Sequence, residues 1–377
     1  MQRLLKTLLK MVLYIIGLIL LFAIGVIIFI NTSPQFGGSP NAESQSIIDQ
    51  SPNYENGVFQ NLIETKMDMS FSSMMGTMGE YLSGKNQKSP PQPLPVAFDQ
   101  TQEEIDTAVY VTWFGHSAVL LEIEDKKILL DPMLGDAAAP VSFMTKRFNY
   151  TSPIKLSSIT DIDAVLISHD HYDHLDYPTI SALKDKVGHF YTPLAVGAHL
   201  ESWGVDANRI TELDWWQSGQ FGDLTFTCTP SRHFSGRGVT DRNSTQWGSW
   251  VIEGKKSKIY FSGDSGYGPH FKEIGDRFGP FDFVMMECGQ YHKNWAAIHM
   301  MPEETVQAGR DVKTEKLMPI HWGAFNLSLH SWTDPVVRAQ KAAESTDVQF
   351  VTPIIGDRFN IYGALPQTKW WEAINRP

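Results

Sequence analysis

The sequence predicts a layered α/β fold. Three observations carry this reading: short apolar runs recur between turn signals from Val109 onward, helical patterns interrupt them, and one run ends in a dense set of metal-ligand side chains. The runs VYVTWF, AVLLEI, KILLD, DAVLIS, LTFTCTP, SWVIE, KIYFSGD, FDFVMME, KLMPIHW and NIYG have the length and the β-branched and aromatic content of strands. Helical patterns follow Tyr177, Pro269 and Pro302. At the last of these, Pro-Glu-Glu puts a proline in the first turn and acids at the positive end of the helix dipole. No repeat of fixed period is visible.

Composition narrows the function classes. A chain of 377 residues, 42% hydrophobic, has enough apolar material for one large domain or two smaller ones. Its net charge is −11, and its 31 Lys and Arg are scattered rather than gathered into a stripe, so no nucleic-acid partner is expected. Cys228 and Cys288 are too few for a disulfide framework and badly spaced for a thiolate metal site. Both lie in expected strands and are read as buried thiols, pairing being the alternative. Any metal must then be held by nitrogen and oxygen.

The elements before the main domain follow in order. Residues 1–10 form a basic N-terminus. Met11 to Ile30 carry no charge, long enough as a helix to cross a hydrocarbon core about 30 Å thick. Arg3, Lys6 and Lys10 precede this stretch and no Lys or Arg follows until Lys66, which keeps the N-terminus cytoplasmic and places the rest on the outer, periplasmic side. A cleaved signal peptide is the rival reading, disfavoured by the length of the apolar stretch and the lack of a small-x-small site. Residues 31–56, rich in Ser, Asn, Gln, Pro and Gly, are expected to be a flexible tether. Residues 57–107 are an N-terminal extension that packs on the catalytic domain. It holds a Met-rich patch, Met67, Met69, Met74, Met75 and Met78, read as a helix packed on the core, with a lipid-facing amphipathic helix as the alternative. The prolines of SPPQPLP (89–95) mark the entrance to the main domain, 108–365, and residues 366–377 are a C-terminal tail.

The chemistry is concentrated in DAVLISHDHYDHLD, where a buried strand runs into a polar loop with His169, His171, Asp173 and His174. A cap for the helix near Tyr177 would not need four ligand side chains in six residues. If other strands deliver ligands at their ends, His233 after LTFTCTPSR, Asp264 after KIYFSG and His321 after KLMPI qualify. The expected site holds two zinc ions: His169, His171 and His233 on one, Asp173, His174 and His321 on the other, and Asp264 bridging them. A hydroxide shared by such a pair is a nucleophile at neutral pH. Asp173 is also expected to orient or deprotonate the attacking water. His116 in WFGHSA is either an orienting partner of a ligand or a turn residue. Arg147, Arg237 and Arg242 lie beside the motifs but are read as solvated surface residues. Trp113, Trp215, Trp216, Trp247, Trp250 and Trp322 are read as core, an acyl pocket being the alternative.

The order HxHxDH, later His, Asp and final His resembles the metallo-β-lactamase fold hydrolases. VTWFGHSAVLLEI, ILLDPML, ELDWW, WGSW, FSGDSGYGPHFKEIGDRFGPFD, PEE and IHWGAF further resemble the N-acyl-phosphatidylethanolamine-hydrolysing phospholipase D family, over about Gly57 to Gly363. The resemblance implies a four-layer αββα sandwich, zinc, and cleavage of a lipid phosphodiester. It also aligns His299 with a family histidine near the substrate, where it would contact phosphate or assist the leaving group. The expected function is a membrane-anchored phospholipase D-like hydrolase acting on a phospholipid. The alternatives are a lactonase or esterase for a small sugar-phosphate, a non-catalytic zinc-binding envelope protein, and a nuclease.

Overall fold

Strands that are apolar on both faces demand a packed layer on each side of them. In Lys126–Leu130, Ile128 and Leu130 join one core while Leu129 joins another, and in Ile162–Leu166, Ala164 and Leu166 are likewise separated from Val165. This period of two places one core between two sheets and a second under an outer helical layer. The computed structural model describes residues 2–97 and 109–374, so the boundary expected at 107/108 lies outside the described residues.

An apolar helix, α1 (Gln2–Thr32), comes first, followed by α2 (Ala42–Ile48), a small hairpin of β1 (Tyr54–Glu55) and β2 (Val58–Phe59), and α3 (Phe71–Ser83). The first sheet contains β3 (Tyr110–Trp113), β4 (Val119–Ile123), β5 (Lys126–Leu130), β6 (Ile162–Leu166), β7 (Val187–Pro193) and β8 (Ile210–Leu213), with α4 (Tyr177–Leu183) and α5 (Gly197–Ser202) between its later strands. The second contains β9 (Ser218–Phe221), β10 (Leu224–Thr229), β11 (Ser249–Glu253), β12 (Lys258–Phe261), β13 (Phe283–Glu287), β14 (Lys316–Ile320) and β15 (Gln349–Phe350), with α6 (His270–Arg277), α7 (Pro302–Asp311) and α8 (Asp334–Ala343). The chain then returns to the first sheet as β16 (Arg358–Asn360) and ends in α9 (Trp370–Ile374). The orders are β16-β3-β4-β5-β6-β7-β8 and β15-β14-β13-β12-β11-β10-β9. Pairing is antiparallel at one end of each sheet and parallel through β5–β8 and β12–β15. This is the αββα sandwich expected from the resemblance.

Several expectations need correction. β7, β8, β9 and β15 were not among the apolar runs, because these strands are short or carry polar residues on one face. The stretch 31–56, expected to be a loose tether, is folded: Ile48 is buried, and Phe36 packs edge-on against Tyr172. The Met-rich helix α3 is not part of the core. None of its residues is buried, and its Ser73 carbonyl and Thr77 hydroxyl accept from Asn294 Nδ2 of the main domain. The tail is no appendage either, since Trp370 stacks on Trp322 at 5.4 Å and Trp371 is buried. The core reading holds for Trp113, Trp215, Trp247, Trp250 and Trp322, all buried, while Trp216 is half-buried. Cys228 and Cys288 are free and buried, as expected.

Because Trp371 is 1% exposed, Trp371→Ala is expected to cost about 3–5 kcal/mol through lost burial and the cavity left behind. Chemical denaturation of the purified protein measures this; a dispensable tail would leave the midpoint unchanged.

Candidate metal centre

The parallel strands of both sheets end at the same edge, and the loops at their carboxyl ends converge there, as crevices do in sheets of this kind. After β6 the chain runs through Ser168 into His169–His174, and His174 N and Leu175 N both close on His171 O, at 3.0 and 2.8 Å, to make a tight loop. Asp264 follows β12, Glu287 ends β13, His321 follows β14, and His233 arrives from the loop after β10. Each of the seven sequence-predicted ligands reaches this one pocket.

Two halves can be distinguished. In the first, His169 Nε2 and His233 Nε2 lie 2.9 and 3.2 Å from His171 Nδ1. These spacings suit three nitrogens around one ion, whose separation would be about 3.3 Å in a tetrahedral zinc site. In the second, His174 Nε2 lies 3.5 Å from Asp173 Oδ2, and His321 Nδ1 lies 4.0 Å from the same oxygen. Asp264 stands between the halves. Its Oδ2 is 3.8 Å from His169 and from His233 and 3.1 Å from His174, while its Oδ1 is 3.0 Å from His321. His299 sits against both halves, its ring 5.0 Å from His233 and 5.1 Å from His321.

Two acids missed in the sequence complete the pocket. Asp131 closes β5 and takes Ser168 N at 2.6 Å, Ser168 Oγ at 2.5 Å and His174 Nδ1 at 2.7 Å. It thereby fixes which nitrogen His174 presents inward. Glu287 does the same for His299, with Oε1 3.0 Å from Nδ1, and its Oε2 accepts from Met300 N. Both obey the strand-end rule that found Asp264 and His321. His116 is resolved as a pocket residue, fully buried with Nε2 2.8 Å from Asp173 Oδ2.

The three arginines differ from one another. Arg237 is buried rather than solvated and donates to the carbonyls of Gln35, Asp170 and Leu175. Arg147 also braces backbone, at Met133 and Gly135. Arg242 is the exposed one, lying 4.1 Å over the ring of Phe234.

The electrostatics call for a cation. Asp131, Asp173, Asp264 and Glu287 are buried, and among the described residues their only ion-pair partners are imidazoles. Burial, then neighbouring imidazoles, push His169, His233 and His321 well below the ordinary histidine range, so they are neutral and ready to ligate. Burial pushes Asp264 up to about 7. His174 Nε2 and Asp264 Oδ1 are buried and, although 3.1 Å from Asp264 Oδ2 and 3.0 Å from His321 Nδ1, form no aligned hydrogen bond among the described residues. A bound metal cation would satisfy both atoms and offset carboxylate charge that is otherwise costly to bury. The donor set fits a metal centre of imidazole nitrogen and carboxylate oxygen. The backbone is strained to build it: His116, Asp131 and His321 have φ of +54°, +38° and +68°, in the left-handed region, each at a cost of about 1–3 kcal/mol that the surrounding contacts must hold.

Asp131→Asn removes the charge behind His174, and a weakening of metal affinity by about 10–100-fold is expected. Competition with a chromophoric chelator measures this, and an unchanged affinity would refute the orienting role.

Comparison with known proteins agrees with this geometry. Residues 126–322 match the beta-lactamase superfamily domain, a span that includes ligands from both sheets. An uncharacterised protein of Mycobacterium tuberculosis is 40% identical over 344 residues, covering 90% of this chain and 92% of the relative. N-acyl-phosphatidylethanolamine-hydrolyzing phospholipase D 1 of Caenorhabditis elegans is 31% identical over 269 residues, 67% of this chain and 76% of the relative. The solved metallo hydrolase Igni18 of Ignicoccus hospitalis shares the fold, with a TM-score of 0.53 at 19% identity over 67% of this chain and 98% of its own. The chain belongs to the β-lactamase superfamily, as one of its metal-dependent hydrolases of the metallo-β-lactamase fold.

Proposed function

We propose that this hydrolase cleaves a phospholipid phosphodiester in the manner of a phospholipase D, on N-acyl-phosphatidylethanolamine or a close relative, at the surface of the membrane that α1 enters. The C. elegans relative carries that activity in its name. The observation that carries the reading for this chain is the inverted amphipathicity of α3. Its Ser73 carbonyl and the side chains of Thr77 and Glu80 meet the domain at Asn294 and His292, while Phe71, Met74, Met75, Met78 and Leu82 are between 53% and 80% exposed. Those apolar positions recur at helical spacing on one face, where a helix of a soluble protein keeps its polar residues. An interfacial helix lies in a bilayer surface this way. The loop it packs on, His292–Asn294, leads within a few residues to His299. A cleft of 680 Å³ adjoins the same region, lined by Tyr81, Arg147, Phe148, Trp295, Asn326 and Leu327.

α1 is the helix among the described residues with the length and apolarity to cross a bilayer, and none of it is buried in the protein. Its positive flank, Arg3, Lys6 and Lys10, favours a cytoplasmic N-terminus with the hydrolase on the outer side.

His169, His171 and His233 would hold one zinc ion, Asp173, His174 and His321 a second, with Asp264 shared. Such ions supply Lewis acidity and a water acidic enough to ionise near neutral pH. The chain's own groups do the rest. Asp173, held by His116, would orient the attacking water or take its proton. His299, held by Glu287 and pushed by burial to about 3, stays neutral and contacts the phosphate or the leaving group from between the two halves.

Purified full-length enzyme is expected to release phosphatidic acid from N-acyl-phosphatidylethanolamine and to leave a panel of lactones intact. Lactone turnover without phosphatidic acid would overturn the assignment. In a second assay, Met74→Glu with Met78→Glu is expected to lower the rate on vesicles roughly tenfold while sparing substrate dispersed as detergent monomers, since charge on this face opposes insertion. Equal loss in both assays would place the helix in the fold rather than at the lipid.

A further inference from the structure

The segment that joins α1 to the rest of the chain touches the metal loop. α1 ends at Thr32, and Pro34–Gly38 lies directly on the domain, with Phe36 edge-on to Phe29 behind it and to Tyr172 ahead of it. Three of its backbone groups meet three buried side chains. Pro34 O accepts from Trp203 Nε1 at 2.7 Å, Gln35 O accepts from Arg237 Nε at 2.8 Å, and Gly38 N donates to His199 Nδ1 at 3.1 Å. Trp203, Arg237 and His199 are 5%, 3% and 4% exposed.

Two of these side chains hold the ligand loop in turn. Arg237 Nη1 donates to Asp170 O at 2.5 Å and to Leu175 O at 2.7 Å, so one guanidinium ties together the two ends of the loop bearing His171, Asp173 and His174. Its plane covers the ring of Tyr172 at 4.1 Å, and Tyr172 donates back to Arg237 O at 2.7 Å. His199 lies with Nε2 3.2 Å from Oδ2 of Asp170, the residue between ligands His169 and His171. Because Nδ1 accepts from Gly38, the ring proton sits on Nε2 and is donated to Asp170. Gly38 thus sets the tautomer that Asp170 needs. Without the segment, Arg237 Nε would lose its acceptor, in a guanidinium whose Nη2 already has no hydrogen-bond partner among the described residues.

We propose that Pro34–Gly38 is a positioning element of the metal centre: the anchor and the ligand loop form one mechanical unit, joined through Arg237 and His199, so that seating of the anchor segment sets the affinity of the site for metal. This rests on the pocket being a metal centre and not on the lipid substrate.

The glycines make the test selective. Gly37 has φ +73°, and a Cβ there would stand 2.0 Å from His199 Nδ1; a Cβ on Gly38 would stand 2.7 Å from Ala198 O and from Ser202 Cβ. Full-length protein in detergent micelles with Gly37→Ala and Gly38→Ala is to be compared with the wild type in zinc affinity by chelator competition, in thermal midpoint of the metal-free protein, and in protease sensitivity of residues 33–42. Zinc binding weaker by at least about tenfold, as for other residues that orient ligands, is expected together with a newly cleavable segment and a metal-free midpoint shifted by only a few degrees. Zinc affinity within twofold of wild type in the undocked variant overturns the proposal, and so does a segment that remains protected. If the double variant is recovered unfolded, His199→Phe, which keeps a ring of similar size but loses both hydrogen bonds, is read by the same criteria. Absence of phospholipase activity would sink the proposed substrate and leave this result standing.

Discussion

Four buried carboxylates around a cluster of imidazoles are the constraint on which the rest of the structure depends. Left to themselves, Asp131, Asp173, Asp264 and Glu287 would repel one another in a medium that screens poorly. The imidazoles relieve this only in part, since His169, His233 and His321 are too buried to charge. A bound metal would resolve the conflict, and strained backbone is kept at His116, Asp131 and His321, where the pocket is built. The apolar sandwich supplies the rigidity that holds these groups within a few ångströms of one another.

That rigidity has a visible joint. His116 N bonds to Trp322 O at 2.8 Å and His321 N to His116 O at 2.9 Å, a short rung between the loop after β3 and the loop after β14. The indole of Trp322 lies between Trp113 and Trp370, with ring centroids 5.3 and 5.4 Å away. The C-terminal helix, the rung and His321 are therefore consecutive parts of one packed column.

The sequence was most legible where chemistry is local. Four candidate ligands within His169–His174 cannot be missed, and His233, Asp264 and His321 stand out because each follows an apolar run. Asp131 and Glu287 stand in the same position and were passed over, since a single acid at a strand end also reads as a turn residue. The sandwich was legible through its two-faced strands, while polar ones such as β9 were not. Segments whose order comes from distant partners could not be read at all. Nothing in Pro34–Gly38 announces Trp203 or Arg237, and nothing in the composition of α3 tells which face meets the protein. Arg237 was misread for the same reason, as its acceptors are carbonyls that no pattern reveals.

The alternation of ligands between the two sheets has a consequence for how the protein matures. His169, His171, Asp173 and His174 extend from the first sheet, while His233, Asp264 and His321 extend from the second. Neither half of the pocket can be assembled from one sheet alone. A chain emerging N-terminus first displays its richest loop of candidate ligands long before β14 delivers His321, so either half of the pocket is complete only once both sheets have formed.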